Sequence, residues 1–153
     1  MIRSMEIDDY DVVHMLWLSI EGFGIRSMDD SREGIYRFLK RNPDLSIVDV
    51  ENGKVIGAIL CGQDGRSGTL YHVCVEKKYR HKGIGRAMVA ECMERLKEEH
   101  INKVTIVAFT RNETGNAFWK SLGWEMRSDL FYYDIVLNER NITKFNENEV
   151  ASR

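Results

Sequence analysis

Apolar residues recur at helical spacing soon after the start of the chain. Residues 1–6 read as a short strand, and Asp8 or Asp9 can cap a helix directly behind it. The apolar face of this helix holds Val12, Val13, Leu16, Trp17 and Ile20. Beyond a loop over residues 21–28, Asp30 and Glu33 have the spacing of a capping box and predict a second helix. The inward face of that helix holds Ile35, Phe38 and Leu39.

Apolar runs bounded by turn signals predict three strands in the middle of the chain. Residues 45–50 and 55–61 flank Asn52-Gly53, a dipeptide typical of tight hairpins because both positions accept positive φ. A glycine-rich turn over residues 62–68 leads into residues 69–76, which are strongly strand-like. These three segments predict consecutive antiparallel strands.

The second half of the chain alternates between helical and extended patterns. Residues 83–100 predict a long amphipathic helix with apolar side chains spaced by four, at Ile84, Met88, Cys92 and Leu96. Residues 103–109 predict a strand, and residues 112–122 a short helix that ends at Gly123. Two final strands are predicted over residues 124–127 and 130–137.

The resulting order is β-α-α-β-β-β-α-β-α-β-β, which predicts an α+β fold. About seven strands form a mixed, mostly antiparallel sheet flanked by about four helices, in contrast to the strict alternation of a doubly wound fold. The length suits one domain over residues 1–138. Residues 139–153 are polar and rich in Asn, and predict a loosely held C-terminal tail.

Composition narrows the possible classes of function. A net charge of −2 provides no general basic field for nucleic acid, so any anion site is local. The apolar runs are far shorter than the ~18 residues of a membrane span, and the N-terminus lacks a signal-peptide core. We therefore expect a cytoplasmic protein that binds neither membrane nor nucleic acid. Three cysteines in apolar stretches and four separated histidines predict reduced core thiols and no metal site.

The most informative local sequence is KYRHKGIGRAMV, residues 78–89, at the junction of a strand and the long helix. It lacks the third small residue of a dinucleotide fingerprint, since Met88 stands there, and no Gly-Lys-Ser/Thr triphosphate loop occurs in the chain. Free N–H groups at a helix start, beside Gly83 and Gly85, still suit an anion. The alternatives at this point are a solvated surface turn or a phosphate site.

Two segments in order resemble the GNAT superfamily of acetyl-CoA-dependent N-acetyltransferases. Residues 71–86 resemble its central motif, a strand followed by Arg-x-x-Gly-x-Gly at a helix start, and NETGNAFWKSLGW over residues 112–124 resembles its later motif. The resemblance covers residues 1–138. It implies the acyl-CoA N-acyltransferase fold, in which the central strand pair is splayed, and acetyl-CoA as co-substrate.

The resemblance also implies which residues bind coenzyme A. Backbone N–H groups of the glycine-rich junction would hold the pyrophosphate, and the exposed edge of the preceding strand would pair with the pantetheine amides. Asn112, which can also cap the short helix, and Asn116 would reach the pantetheine arm, and Trp119 would either wall the thioester or belong to the core. The implied set is Val73, Cys74, Val75, Arg80, His81, Lys82, Gly83, Ile84, Gly85, Arg86, Asn112, Asn116 and Trp119.

The catalytic positions depart from the family pattern. Trp119 stands where members often carry a tyrosine that protonates the thiolate, and an indole is no general acid. Thr69 and Val107 stand where members often carry a glutamate base. The substitutes we predict as catalytic are Glu21, Tyr71 and Tyr133. His72 has the opposite strand parity to Tyr71, so we expect it in the core or on the other face of the sheet.

The predicted function is acetyl transfer from acetyl-CoA to a primary amine by direct attack in a ternary complex. Such an amine has a pKa near ~10.4 and is almost fully protonated at neutral pH, so a base is useful. The alternatives are an acyl-CoA-binding module without turnover and a general nucleotide binder. The resemblance also implies a possible homodimer, since members are often dimers.

Overall fold

The computed structural model describes residues 1–147 and builds them around a five-stranded sheet. Its strands are β1 (Ile2–Ser4), β3 (Ile47–Glu51), β4 (Lys54–Gln63), β5 (Gly68–Val75) and β6 (Val104–Thr105). The spatial order is β1-β3-β4-β5-β6, antiparallel throughout except for the parallel pair β5 and β6. A separate antiparallel pair joins β2 (Gly24–Arg26) to β7 (Thr143–Phe145).

Four helices cover the two faces of the sheet. Two of them, α1 (Tyr10–Ser19) and α2 (Arg32–Arg41), lie on one face, and α3 (Ile84–Glu98) and α4 (Glu113–Ser121) on the other. The central strand β4 is buried on both faces, which explains its uninterrupted apolar sequence. No helix within residues 1–147 combines the length and apolarity needed to cross a membrane.

The predicted α+β architecture is confirmed, with seven strands, four helices and a mostly antiparallel sheet. The splayed pair is also confirmed. Strand β5 pairs with β6 only at Gly68 with Val104 and at Thr69 with Thr105, yet β5 continues to Val75. The remainder of β5 therefore has a neighbour on the β4 side and none in β6.

Two of the seven strands lie elsewhere than predicted. Within the described chain, residues 124–127 and 130–137 form no strand, and of residues 103–109 only Val104–Thr105 pairs. A strand exists only where a second backbone takes its hydrogen bonds, and local alternation of side chains cannot supply that partner. The remaining two of the seven strands are β2 and β7. They lie in segments where the sequence pattern predicted a loop and a tail.

The helix starts also differ in detail from the prediction. Ser31 caps α2, because its Oγ accepts the N–H of Gly34 at 3.1 Å, whereas Asp30 is buried in another role described below. Val13 is fully buried but its neighbour Val12 is 48% exposed. Consecutive helical residues point about 100° apart, so the apolar face of α1 is narrower than its sequence suggests.

The C-terminal segment is held in place up to the end of the described chain. Strand β7 pairs with β2, and Ser27 and Ile142 bond each other in both backbone and side-chain contacts. The expectation of a loose tail is therefore wrong for residues 139–147, while residues 148–153 lie outside the described residues. The domain boundary at residue 138 stays a prediction.

Asn146 is hydrogen-bonded to the C-terminal end of α1. Its Nδ2 donates to the carbonyl oxygens of Trp17 at 2.9 Å and Ile20 at 3.0 Å. Its backbone N–H donates to Phe23 O at 2.8 Å, and its carbonyl accepts the N–H of Gly22 at 2.9 Å. One residue thus satisfies carbonyl groups that a helix end leaves without intrahelical donors.

We expect Asn146→Ala to lower the free energy of unfolding by about 1–3 kcal/mol, because Ile20 O loses its donor and Trp17 O keeps only the N–H of Ile20. Urea-induced unfolding measures this change. Lys144→Ala, on the exposed face of the same short strand, is the matched control and should change stability by less than about 0.5 kcal/mol. Equal stability of the two variants would contradict a stabilising role for the hydrogen bonds of Asn146.

Candidate active site

The start of α3 offers an anion site made of backbone. Gly83 occupies the N-cap position with φ of 81°, and no side chain within residues 1–147 caps the helix. The first backbone bond of the helix runs from Ala87 N–H to Gly83 O, so the N–H groups of Ile84, Gly85 and Arg86 have no intrahelical acceptor. A Cβ on Gly83 would meet only open space. The cradle is therefore uncapped and accessible.

The cationic side chains predicted for this site belong to the loop and the first turn of α3 that form the cradle. Arg80 Nε donates to Val75 O at 2.9 Å, tying the loop to the end of β5, and Arg86 reaches Ser121 O at 3.4 Å. Lys82 Nζ lies 5.6 Å from the centroid of the Tyr79 ring. His81 has a positive φ of 63°, so the turn before Gly83 is sharply bent. Positive charge near helix amides favours an anion.

Gly85 has a packing role in addition to its predicted contact with a ligand. A Cβ at this position would lie 3.2 Å from the Phe118 ring, so the first turn of α3 packs tightly against α4. Trp119, beside Phe118, packs on Trp124 with ring centroids 4.7 Å apart and joins the apolar cluster under α3. Trp119 is thus partly buried against this cluster, and its contact with the cofactor stays a prediction.

The unpaired stretch of β5 begins beside the cradle. Val73 and Val75 face the apolar cluster under α3, whereas Cys74 is buried in the cluster under α1 and α2. Glu76, directly after the strand, is buried and paired with Lys54 at 2.8 Å, which fixes the end of β5 where the loop begins. A linear ligand held at the cradle can therefore run back along the edge of β5.

The three cysteines are buried, unpaired thiols. Burial raises the pKa of the Cys74 thiol to about 12, and its Sγ lies 3.8 Å from Ala58 O. A hydrogen bond with Cys61 and burial raise the pKa of the Cys92 thiol above its usual range. Neither thiol forms a thiolate near neutral pH, and thiolate is the nucleophilic form. Within residues 1–147, no cluster of side chains suits a metal ion.

Asn112 is the N-cap of α4, as the sequence allowed. Its Oδ1 accepts the N–H of Gly115 at 3.0 Å, and its side chain packs directly on Gly22 of the loop after α1. Asn116 Nδ2 donates to the carbonyls of Phe109 at 3.0 Å and Asn112 at 2.8 Å. The confirmed role of both residues is to hold α4 against the loops, and their contacts with a ligand stay predictions.

A bulge in β5 changes which face its side chains take. The register with β4 shifts between Ala58 and Leu60, and the bulged residue His72 has φ of 50°. Tyr71 contacts Phe38 of α2, and His72 also turns toward α1 and α2. Of the two alternatives for His72, the one that put it on the opposite face from Tyr71 is wrong, because a bulge interrupts the alternation of a regular strand.

His72 makes a buried pair that sequence reasoning missed. Its Nε2 lies 2.8 Å from Asp30 Oδ1, and the two side chains are 15% and 6% exposed. Asp30 Oδ2 also accepts the N–H of Arg26 at 2.7 Å. The imidazole lies against Trp17 and stacks on Phe23, at centroid distances of 4.8 and 5.3 Å. The two partners are 42 residues apart, so no local spacing signals the pair.

Comparison with known proteins identifies the family to which this chain belongs. The model of the "Acetyltransferase (GNAT) family" matches residues 10–124, well over half of the chain. The chain belongs to the GNAT acetyltransferase family. The acetyltransferase SG1711 of Sodalis glossinidius is 29% identical over 129 residues, which cover 84% of this chain and 89% of that protein. The GNAT domain makes this chain an acetyltransferase.

Two solved structures share the GNAT fold. Ard1 from Thermoplasma volcanium superposes with a TM-score of 0.72 at 18% identity, covering 84% of each chain. The PaiA N-acetyltransferase from Thermoplasma acidophilum, solved in complex with coenzyme A, gives 0.70 at 16% identity, covering 94% of this chain and 95% of that one. These likenesses confirm the predicted acyl-CoA N-acyltransferase fold.

Within residues 1–147, no hydrogen bond, ion pair or ring contact joins the three residues predicted as catalytic for this GNAT chain. Glu21 is exposed in the loop after α1, and Tyr71 is 45% exposed beside Phe38. Tyr133 is 86% exposed, and the strand that was to carry it is not formed. Placement of Tyr133 on a late strand is therefore wrong, and the catalytic roles of Glu21, Tyr71 and Tyr133 stay predictions.

Proposed function

We propose that this protein transfers the acetyl group of acetyl-CoA to a primary amine by direct attack within a ternary complex. The observation that carries the proposal is the uncapped start of α3 beside the unpaired edge of β5. The cradle suits a pyrophosphate and the edge suits a chain of amide groups. Together they fit the two ends of one ligand, coenzyme A.

The donor site uses backbone more than side chains. N–H groups between Arg80 and Arg86 hold the pyrophosphate, and the open space at Gly83 admits it to the backbone. The pantetheine amides pair with β5 around Val73, Cys74 and Val75, as an added strand would. Asn112 and Asn116 border the arm from α4.

Direct attack is favoured because the chain supplies no thiol nucleophile near the donor site. An acyl-cysteine route needs a thiolate, whereas burial holds the pKa of the Cys74 thiol at about 12. The amine must therefore attack the thioester itself, with loss of one proton and departure of the coenzyme A thiolate. The acceptor enters on the face of β5 covered by α1 and α2, opposite α3.

Substitution of the cap glycine tests the cofactor site. We expect Gly83→Glu to weaken binding of coenzyme A at least 30-fold in calorimetry, because a carboxylate then stands where the pyrophosphate binds. Gly65→Glu is a matched control, since Gly65 also has positive φ (86°) and open space around it, in the β4–β5 turn at the opposite end of β5 from the cradle. It should leave affinity within about 2-fold.

Both variants carry the same backbone strain, so a difference between them reports the site alone. Gly85→Glu is less informative, because its side chain also collides with Phe118. Equal affinities of Gly83→Glu and Gly65→Glu for coenzyme A would overturn the assignment of the cradle. Wild-type binding of ATP in place of coenzyme A would favour a general nucleotide site.

A thiol-release assay with a panel of primary amines tests turnover and its route. We expect the wild type and Cys74→Ala to release thiol only when an amine is present, at rates within about 5-fold of each other. Incubation with radiolabelled acetyl-CoA alone should leave no label on the protein. A labelled protein would contradict direct attack, and binding without turnover of any amine would favour a non-catalytic acyl-CoA-binding module.

We also place a homodimer within this proposal. Residues 126–137 expose a long apolar surface in the monomer, with Phe131, Tyr133, Ile135 and Leu137 each 82–94% exposed. Strand β6 has an open outer edge, near which Val107 is 68% exposed. A monomer rarely leaves such a surface to water. A second copy fits it best, because each copy offers both an unpaired segment and an unpaired edge.

Sedimentation equilibrium tests the dimer. We expect the 17.8 kDa chain to sediment with twice that mass, and the double variant Phe131→Glu/Ile135→Glu to sediment as a monomer, because the charges would be buried between copies. Glu139→Gln, just beyond the segment, is the control and should leave the dimer intact. A monomeric wild type at micromolar concentration would contradict this arrangement.

A further inference from the structure

The pair of His72 and Asp30 has the organisation of a proton acceptor with its orienting carboxylate. We infer that His72 is the base that takes the proton from the acceptor amine, with Asp30 as its positioning residue. This inference rests on the proposed amine acetylation and names a group for its acceptor side. His72 lies at none of the positions that the sequence predicted as catalytic.

The carboxylate of Asp30 sets the tautomer of the imidazole. Its Oδ2 accepts the N–H of Arg26 at 2.7 Å, and its Oδ1 lies 2.8 Å from His72 Nε2. A carboxylate can only accept, so Nε2 carries the hydrogen and donates it to Asp30. The other ring nitrogen, Nδ1, then holds a lone pair and is free to accept a proton.

Nδ1 of His72 is accessible from outside the core. Within residues 1–147, Trp17 Nε1 is the one fully buried side-chain nitrogen or oxygen without a hydrogen-bond partner. Nδ1 of His72 has no partner among these residues either, so it reaches solvent, in agreement with the 15% exposure of the side chain. Trp17 and Phe23 hold the ring from its sides and restrict its rotation.

The backbone at His72 is shaped to present this side chain. Of the three histidines with positive φ, at positions 72, 81 and 100, only His72 lies inside a strand. Such a conformation is strained for a residue with a Cβ and persists only where the surroundings enforce it. Here it forms a bulge that re-aims the ring from the regular alternation toward α1 and α2.

The position along β5 also fits the reacting end of the donor. From Glu76, next to the cradle, back to His72 the strand covers about 13 Å at ~3.3 Å per residue. The pantetheine arm, with its two amides, is comparable in length to these few extended residues. A thioester at its end therefore lies beside the bulge, and the amine approaching from the α1 and α2 side meets Nδ1, directly or through one water.

The proposed reaction begins with a proton transfer and continues with acyl transfer. The ammonium form of the acceptor gives one proton to Nδ1, and the imidazolium that forms is stabilised by Asp30. The amine lone pair then forms the new C–N bond while the C–S bond breaks and its electrons leave on the thiolate. The nitrogen loses its second proton as the amide forms, the thiolate takes up that proton through solvent, and His72 returns its own proton to solvent.

Asp30→Asn is expected to invert the tautomer without removing a bulky group. The backbone N–H of Arg26 can only donate, so it bonds the amide oxygen of the substituted side chain. The amide NH₂ of that side chain then faces His72 Nε2. Nε2 must accept, and the imidazole hydrogen moves to Nδ1. Nitrogen-15 NMR of the imidazole shows the change directly and needs no substrate. An unchanged Nε2–H tautomer would overturn the role of Asp30.

The kinetic test compares His72→Asn with the wild type across pH. Asparagine tolerates positive φ, so the bulge is retained while the base is lost. With the panel amine that the wild type acetylates fastest, we expect kcat/KM to fall about 100-fold at pH 7. The deficit should shrink below about 10-fold near pH 9.5, because the neutral fraction of an amine of pKa ~10.4 rises tenfold per pH unit.

A control is needed to show that the pH dependence of kcat/KM comes from His72 and not from the other titratable groups near its ring. Tyr10 and His14 of α1 stack on each other, with Arg32 of α2 over the Tyr10 ring, and Cys74 follows on β5. His14→Gln is therefore the matched control, since His14 also contacts Trp17 but lies away from Asp30. It should retain the wild-type rate and profile.

The outcomes separate the two proposals. A deficit in His72→Asn that is the same at every pH would make His72 structural and overturn its role as a base, as would an unchanged rate. A wild type that binds coenzyme A but acetylates no amine overturns the proposed acetylation, and the base falls with it. Loss of coenzyme A binding in His72→Asn would also overturn the role, since a base on the acceptor side leaves the donor site intact.

Discussion

The divergence of β5 from β6 is the constraint on which the rest of this structure depends. Parallel strands normally satisfy each other's backbone groups along their whole length, yet these two part after Thr69 and Thr105. The peptide groups farther along β5 need another partner, because a backbone group without one is costly when buried. A ligand rich in amides meets that need, and the uncapped start of α3 lies where the phosphates of the same ligand would be.

The two faces of the sheet offer different kinds of chemical group to a ligand. On the α3 side the site is made of backbone, glycine and local positive charge, although the whole chain has a net charge of −2. On the α1 and α2 side it is made of buried side chains, with Asp30 joining the loop before α2 to the bulge in β5. The donor and the acceptor can thus meet at β5 from opposite directions, which is what a direct transfer requires.

The loop after α1 is shaped by contacts from the far end of the chain. Strand β7 and Asn146 hold residues 22–26 against α1, and those residues in turn supply the Arg26 N–H and the Phe23 ring that orient Asp30 and His72. A segment with polar, unremarkable composition therefore supports the geometry of the acceptor side. Stability of the loop and precision of the site come from the same contacts.

By itself the sequence determined the class of the fold and the order of its main helices and strands, and it predicted the donor site. Those features are encoded locally, in 3.6-residue and 2-residue periods and in glycines at a helix start, so a short window suffices to read them. The core position of Trp119 and the cap at Asn112 were readable as alternatives. Glu21, Tyr71 and Tyr133 were proposed from element positions alone.

Only the tertiary structure decided the acceptor side. The bulge at His72 breaks the parity rule that sequence reading relies on, and Asp30 leaves the capping role that its spacing suggests for a partner 42 residues away. Strands β2 and β7 likewise form because distant segments meet, while the alternating residues 130–137 remain unpaired in the single chain. Hydrogen bonds and ring contacts between distant residues depend on three-dimensional proximity, and no local period records it.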